Sequence, residues 1–201
     1  MYVAVVTAAG YGLDGSKYAV RLEGLLRAVE ATGMDAATAG RLLVLGGECN
    51  YLLRCVVKDG KAGLEAVPDE EWQNEKLPGP KPKSWPETSV STLLDTAQKT
   101  MERTIKELRL RARIIRKPRS VGVIPGGDAM VVDVPVGHGS KKLKREALDE
   151  IVLRIMDALR QKGDAIDLPF CAFNGGRDAW VDCGDKSIGV AALQAWLGVE
   201  C

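Results

Sequence analysis

Apolar and polar positions alternate along this chain in two rhythms, and the switches between them mark its elements. Tyr2–Val6 is a continuous apolar run, rich in β-branched valine, that stops at Thr-Ala-Ala-Gly-Tyr-Gly. A short apolar run closed by small residues and leading into a helix predicts a strand buried on both faces, as in parallel sheets. Helical spacing follows, from a cap at Asp14 or Ser16 to about Thr32. Tyr18, Leu22, Leu25, Leu26 and Val29 form its stripe, and Gly33 stops it. Leu42–Leu45 predicts a second buried strand, broken by Gly46 and Gly47. Asn50–Val57 and Leu64–Val67 read as a hairpin across Lys58-Asp59-Gly60-Lys61, since Asp-Gly favours the tight turn.

The pattern then changes. Four prolines and two lysines fall within Leu77–Pro86, which predicts an extended, exposed connection. Thr88 to about Leu110 is a long helix with Val90, Leu93, Leu94, Ala97, Met101, Ile105 and Leu108 on one side. Arg111–Arg116, Ser120–Ile124 and Met130–Val136 read as strands, the last followed by a Gly-His-Gly-Ser loop. Lys144–Gln161 is amphipathic, with Leu148, Ile151, Val152, Ile155 and Leu159 inward and Gly163 as its stop. Phe170–Phe173 and Ala179–Cys183 flank Asn-Gly-Gly-Arg-Asp as a hairpin, and Lys186 and Ser187 open a final helix carrying Ile188, Val190, Leu193 and Trp196. Strand–helix–strand at the start and helix–strand–strand in the middle predict two lobes: part of a doubly wound sheet, with an α+β insertion within it.

Composition narrows the classes. At 201 residues and 46% hydrophobic, the chain can bury a sizeable core, built mainly from aliphatic residues because aromatics are 5%. With 28 basic and 27 acidic residues, the net charge of +1 offers no general attraction to nucleic acid or an anionic membrane. Five scattered cysteines without a CxxC pair predict reduced thiols rather than a disulfide framework or a zinc site. The start MYVAVVTAAG lacks a basic lead and is too short to span a bilayer, so a soluble, cytoplasmic protein is expected.

Chemistry could reside in four places. Thr7-Ala8-Ala9-Gly10 lies where a strand passes into a helix, the place where open α/β sheets bind ligands. The backbone N–H groups of Ala8 and Ala9 can approach an anion and Thr7 adds a hydroxyl, although a tight turn with a capping threonine reads the same way. Arg21 shares a side with Tyr18 and Leu25, and either snorkels to water or meets an anion. Arg116-Lys117-Pro118-Arg119 gathers cations beside strands, as a phosphate clamp or a solvated face. In the last stretch Asp178 and Asp182 flank a strand, and Lys186 begins a helix, placing a point charge where the helix N-terminus also favours a phosphoryl group; hairpin chemistry before an ordinary helix is the other reading. His138, the single histidine, has no second one with which to build a triad or metal site.

Taken together, VTAAGY, the following YxxRLxGLL, GGECNYLLRC, LLDTAQKT, IIRKPRSVGVIP and CAFNGGRDAWVDCGDKSIGV resemble IMP-specific 5′-nucleotidases, haloacid dehalogenase-like phosphatases with a large cap. The resemblance runs in order through nearly the whole chain. It implies a partial doubly wound core in residues 1–66, an α+β cap in 67–183 and a return to the core in 184–201. It also implies that Thr7 binds the transferring phosphoryl group and that Lys186 neutralises its charge. Ala8, Ala9, Arg21, Arg119 and Asp178 are then expected to contact the nucleotide. IMP is the implied small-molecule partner and Mg²⁺ the implied cofactor, with self-association left open. The superfamily's first motif, an Asp-x-Asp whose leading carboxylate forms an aspartyl-phosphate, should precede VTAAGY, and an acidic metal-binding motif should follow the Lys186 helix. Neither stands in these 201 residues, so this polypeptide alone is expected to be inactive. A non-catalytic nucleotide-binding or scaffold protein, and a sugar-phosphate phosphatase or phosphomutase, are the rival readings.

Overall fold

A computed structural model of the chain describes residues 1–73, 81–126 and 143–198. The expected strand Met130–Val136, the loop holding His138 and the first part of the proline-rich connection lie outside the described residues. The described residues form a mixed α/β structure with two four-stranded sheets, divided into two compact units: 1–84 with 184–201, and 85–183.

The first unit is built on strands β1 (Val3–Val6), β2 (Leu42–Gly46), β3 (Tyr51–Lys58) and β4 (Lys61–Ala66), in that spatial order. β1 and β2 are parallel, Val3 opposite Leu42 and Val6 opposite Leu45, as their continuous apolar runs predict. β3 and β4 add antiparallel strands through the Asp-Gly turn, where Asp59 and Gly60 both take positive φ, at 50° and 73°. Helices α1 (Gly15–Arg21), α2 (Glu23–Ala31) and α3 (Ala36–Ala39) connect β1 to β2, and α4 (Asp69–Trp72) follows β4. The structure divides the single helix expected from Asp14 to Thr32. Leu22 leaves helical geometry at φ −110°, ψ 17°, and its N–H bonds to both Tyr18 and Ala19 carbonyls. Gly24 just beyond lowers the cost of the break, and Leu25 turns outward, 38% exposed.

Each face of this sheet has its own core. Tyr18, Leu26 and Val29 from the helices pack with Leu42, Val44, Leu53 and Cys55. Leu43, Leu45 and Leu52 point the other way and pack with Trp72 and with Ala192 and Leu193 of a helix from much later in the chain, Lys186–Leu197. The alternation of Leu42 and Val44 against Leu43 and Leu45 is the period-2 pattern of a strand covered on both sides.

The second unit has helix α5 (Glu87–Glu107), the hairpin β5 (Ala112–Lys117) and β6 (Ser120–Pro125), helix α6 (Arg145–Arg160), and the hairpin β7 (Phe170–Asn174) and β8 (Ala179–Cys183); the late helix of the first unit is α7. Its sheet runs β5-β6-β8-β7 and is antiparallel throughout. α5 and α6 pack on each other and on the sheet through Leu93, Leu94, Met101, Leu148, Ile151 and Ile155, all fully buried. Arg116 reaches from β5 to Asp95 of α5 at 2.9 Å, so this member of the basic run is paired within the unit. Before α5 the expected extended stretch instead includes a 3₁₀ turn at Pro82–Ser84, tied down by Lys83 N–H donating to the buried Gln73 side chain at 2.8 Å.

Candidate active site

In the first unit the loops leaving β1 and β2 are laced by backbone hydrogen bonds. Thr7 N–H donates to Leu45 C=O at 2.9 Å, Gly47 N–H to Ala9 C=O at 2.9 Å, and Glu48 N–H to Thr7 C=O at 3.1 Å. The VTAAGY loop is therefore held by the β2–β3 turn. Thr7 Oγ1 accepts from Ala9 N–H at 3.1 Å, a local side-chain turn that uses the Ala9 donor. The Thr7 hydroxyl proton and the Ala8 N–H have no acceptor among the described residues. Tyr11 N–H donates to the hydroxyl of buried Tyr18 at 3.0 Å, which closes the loop onto α1, and burial raises the Tyr18 phenol to about 12.

The turn after β2 takes an unusual path. Gly47 and Glu48 lie in the left-handed region, at φ 58° and 64°. Only glycine suits the first position, because a Cβ there would stand 2.9 Å from the Tyr51 ring. Glu48 adopts the second at a cost of about 1–2 kcal/mol for an L residue. Its side chain is 2% exposed, and its carboxylate meets Lys186 Nζ at 3.1 Å.

Lys186 is the first residue of α7. Asp185 caps that helix, accepting from Ile188 N–H at 3.0 Å and from the Ser187 hydroxyl at 2.5 Å. Partial burial pushes the Asp185 carboxyl up, but the Ser187 hydroxyl and the Ile188 and Ser187 amides outweigh it and hold the carboxyl below its usual value. α7 can sit this close because residue 189 is glycine. A Cβ there would meet Leu45 Cδ2 at 2.6 Å and the Glu48 carbonyl oxygen at 2.7 Å. Glu48 thus links Thr7, through its backbone amide, to Lys186, through its carboxylate, at the carboxyl ends of parallel strands and beside a helix N-terminus. Such a place can hold a phosphoryl group through a hydroxyl, a backbone amide and an ammonium.

The other expected residues are placed within their own units. Arg21 is exposed in the last turn of α1 and makes no ion pair among the described residues. In the second unit Arg119 forms the β5–β6 turn with Pro118; its guanidinium bonds to Glu87 at 2.7 Å and its carbonyl accepts from Cys183 N–H. Asp178 is half-buried at the end of the β7–β8 turn, where its carbonyl accepts from Gly175 N–H at 2.8 Å. Lys117 lies over the Trp180 ring at 4.7 Å. A cleft of about 550 Å³ in the first unit, lined by Tyr2, Arg41, Arg54 and Trp196, opens where β1 and β2 begin, at the opposite end from Thr7. Glu48 is the site residue that the reading of the sequence missed. Its signal was the lone charged residue, placed after Gly-Gly, in the run from Leu42 to Leu53.

The sequence model of the IMP-specific 5′-nucleotidase family matches residues 1–201. The IMP-specific 5′-nucleotidase 1 of Eremothecium gossypii is 39% identical over 203 residues, an alignment that takes in 100% of this chain and 46% of that protein. Among solved structures, a C-terminally truncated Plasmodium falciparum IMP-nucleotidase superposes with TM-score 0.82 at 34% identity, covering 100% of this chain and 50% of that one. An IMP-bound mutant of the same Plasmodium enzyme gives TM-score 0.80, with 48% of its chain covered. The chain therefore spans about half the length of the relatives it matches. Whole-chain agreement in sequence and in fold leaves one assignment: this chain belongs to the IMP-specific 5′-nucleotidase family.

Proposed function

We propose that the intact protein is a phosphohydrolase that cleaves IMP to inosine and inorganic phosphate. The observation that supports this best is the joining of Thr7 and Lys186 through Glu48 at one strand end, in a chain of this family. In this reading the Thr7 hydroxyl and the Ala8 amide donate to phosphoryl oxygens. Lys186 sets its ammonium against the charge that builds on the transferring group, and fixed charges aimed at developing charge are the largest usual contribution to such reactions. Residues 1–66 and 184–201 serve as part of the phosphatase core and 67–183 as its cap, with Arg21, Arg119 and Asp178 binding the nucleoside portion. Five scattered cysteines without a CxxC pair agree with a reducing cytoplasm.

Magnesium is implied by the family resemblance for the intact protein, and the carboxylates beside Lys186 are engaged otherwise. Glu48 pairs with Lys186 and Asp185 caps α7, whereas Mg²⁺ requires a near-octahedral set of oxygens.

The test is phosphate release by the intact protein from a panel of IMP, other nucleoside monophosphates and sugar phosphates. IMP should be preferred, and Lys186→Met should lower kcat by about 100- to 1,000-fold. Cleavage of sugar phosphates with IMP untouched overturns the proposal. Calorimetric binding of IMP without turnover supports the non-catalytic alternative instead.

A further inference from the structure

We infer that Glu48 is the positioning residue for Lys186, a role that rests on the phosphohydrolase reading above. Three observations converge on it. The Glu48 side chain is 2% exposed, so its carboxylate has left water, and a desolvated charge is stable only beside a well-placed counter-charge. Its backbone sits at φ 64°, where glycine, asparagine or aspartate is the cheaper residue. The turn is locked from both sides. Backbone bonds tie Gly47 and Glu48 to the Thr7 loop, Asn50 Nδ2 donates to Gly47 C=O at 2.6 Å, and α7 presses on the Glu48 carbonyl through Gly189. A glutamate held against local preference, buried and immobile is strain of the kind that collects at functional sites.

Lys186 supplies the complement. Its side chain is 52% exposed, on a four-carbon stem whose rotamer freedom is large. The 3.1 Å contact to Glu48 anchors the ammonium before substrate arrives. An ammonium carries three donors, so it can hold Glu48 and a phosphoryl oxygen together. The ordering of the lysine is then settled in folding rather than during binding.

The experiment uses the intact protein with Glu48→Gln, which keeps the side chain's size and removes its charge. A positioning role predicts that kcat for IMP falls about 100-fold with KM little changed. It also predicts that the Lys186 Nζ resonance, identified by its loss in Lys186→Arg and read without substrate, moves to the position of exposed lysines. Should Glu48→Gln fail to fold, Glu48→Asp carries the same expectation, since aspartate tolerates the left-handed turn and its carboxylate stops one carbon short. A merely structural pairing would lower stability and move the resonance, yet leave kcat and KM in place. Wild-type turnover of IMP with kcat unmoved in the variant overturns this inference alone, whatever the resonance does. A wild-type protein that does not cleave IMP overturns the phosphohydrolase reading, and the positioning role with it, even where the resonance reports the pair.

Discussion

Gly189 and Gly24 both lie inside helices, and the same substitution at each should have opposite effects. Replacing a helical glycine by alanine ordinarily gains about 0.5–1 kcal/mol, because the chain loses less freedom on folding. At Gly24 an added Cβ meets nothing within 4 Å, so Gly24→Ala should stabilise α2 by that amount. At Gly189 the Cβ would stand 2.6 Å from Leu45 Cδ2 and 2.7 Å from the Glu48 carbonyl oxygen. The leucine end can turn aside; the carbonyl cannot move without disturbing the left-handed turn. Overpacking of this kind costs about 1–3 kcal/mol. Set against the helical gain, the expected net change is a loss of about 0–2.5 kcal/mol. Urea titrations followed by circular dichroism should therefore place the Gly24→Ala midpoint above wild type and the Gly189→Ala midpoint at or below it. The shift of α7 should also weaken binding of inorganic phosphate in Gly189→Ala, measured by calorimetry. A Gly189→Ala protein as stabilised as Gly24→Ala, with phosphate affinity intact, would refute the close packing of α7 on the turn.

Two further outcomes follow from the same loops. Tyr18→Phe should cost about 1 kcal/mol, since it leaves the Tyr11 amide without its acceptor. Because the Tyr18 phenol is raised from 10.0 to about 12, its neutral form favours the folded state. That contribution is complete below pH 10 and is lost as pH rises through about 12, so the alkaline fall in urea midpoint should be shallower in Tyr18→Phe. Asp185→Ala should lower stability by about 1 kcal/mol through loss of the α7 cap. The Asp185 carboxyl is held below 3.8, so its contribution is present above that value and lost as pH falls through the lowered one; wild type and variant should converge in acid. Equal loss at every pH would count against that cap.

Much of the fold was legible because its signals are local. The runs at Tyr2–Val6 and Leu42–Leu45, the Asp-Gly turn and the Asn-Gly-Gly-Arg-Asp turn each carry their own steric or periodic mark. The break at Leu22 was not legible, since the stripe from Tyr18 to Val29 continues in register across it and the kink answers to packing against β4. In the candidate site, Thr7 and Lys186 were marked by strand-end and helix-start positions and by the family resemblance. Glu48 was not, because no local rule puts a glutamate at positive φ. Its conformation is imposed by Thr7 and by α7, residues distant in sequence.

The late position of α7 also bears on how the protein is made. Leu43, Leu45, Leu52 and Trp72 leave the ribosome well before Ala192 and Leu193, the residues that cover them. At ~5–20 residues per second, that apolar face waits roughly 6–24 s for its partner helix, while the whole second unit is synthesised in between. Nascent chains stalled before Lys186 should therefore bind chaperones through the β2–β3 face, and chains extended past Trp196 should release them.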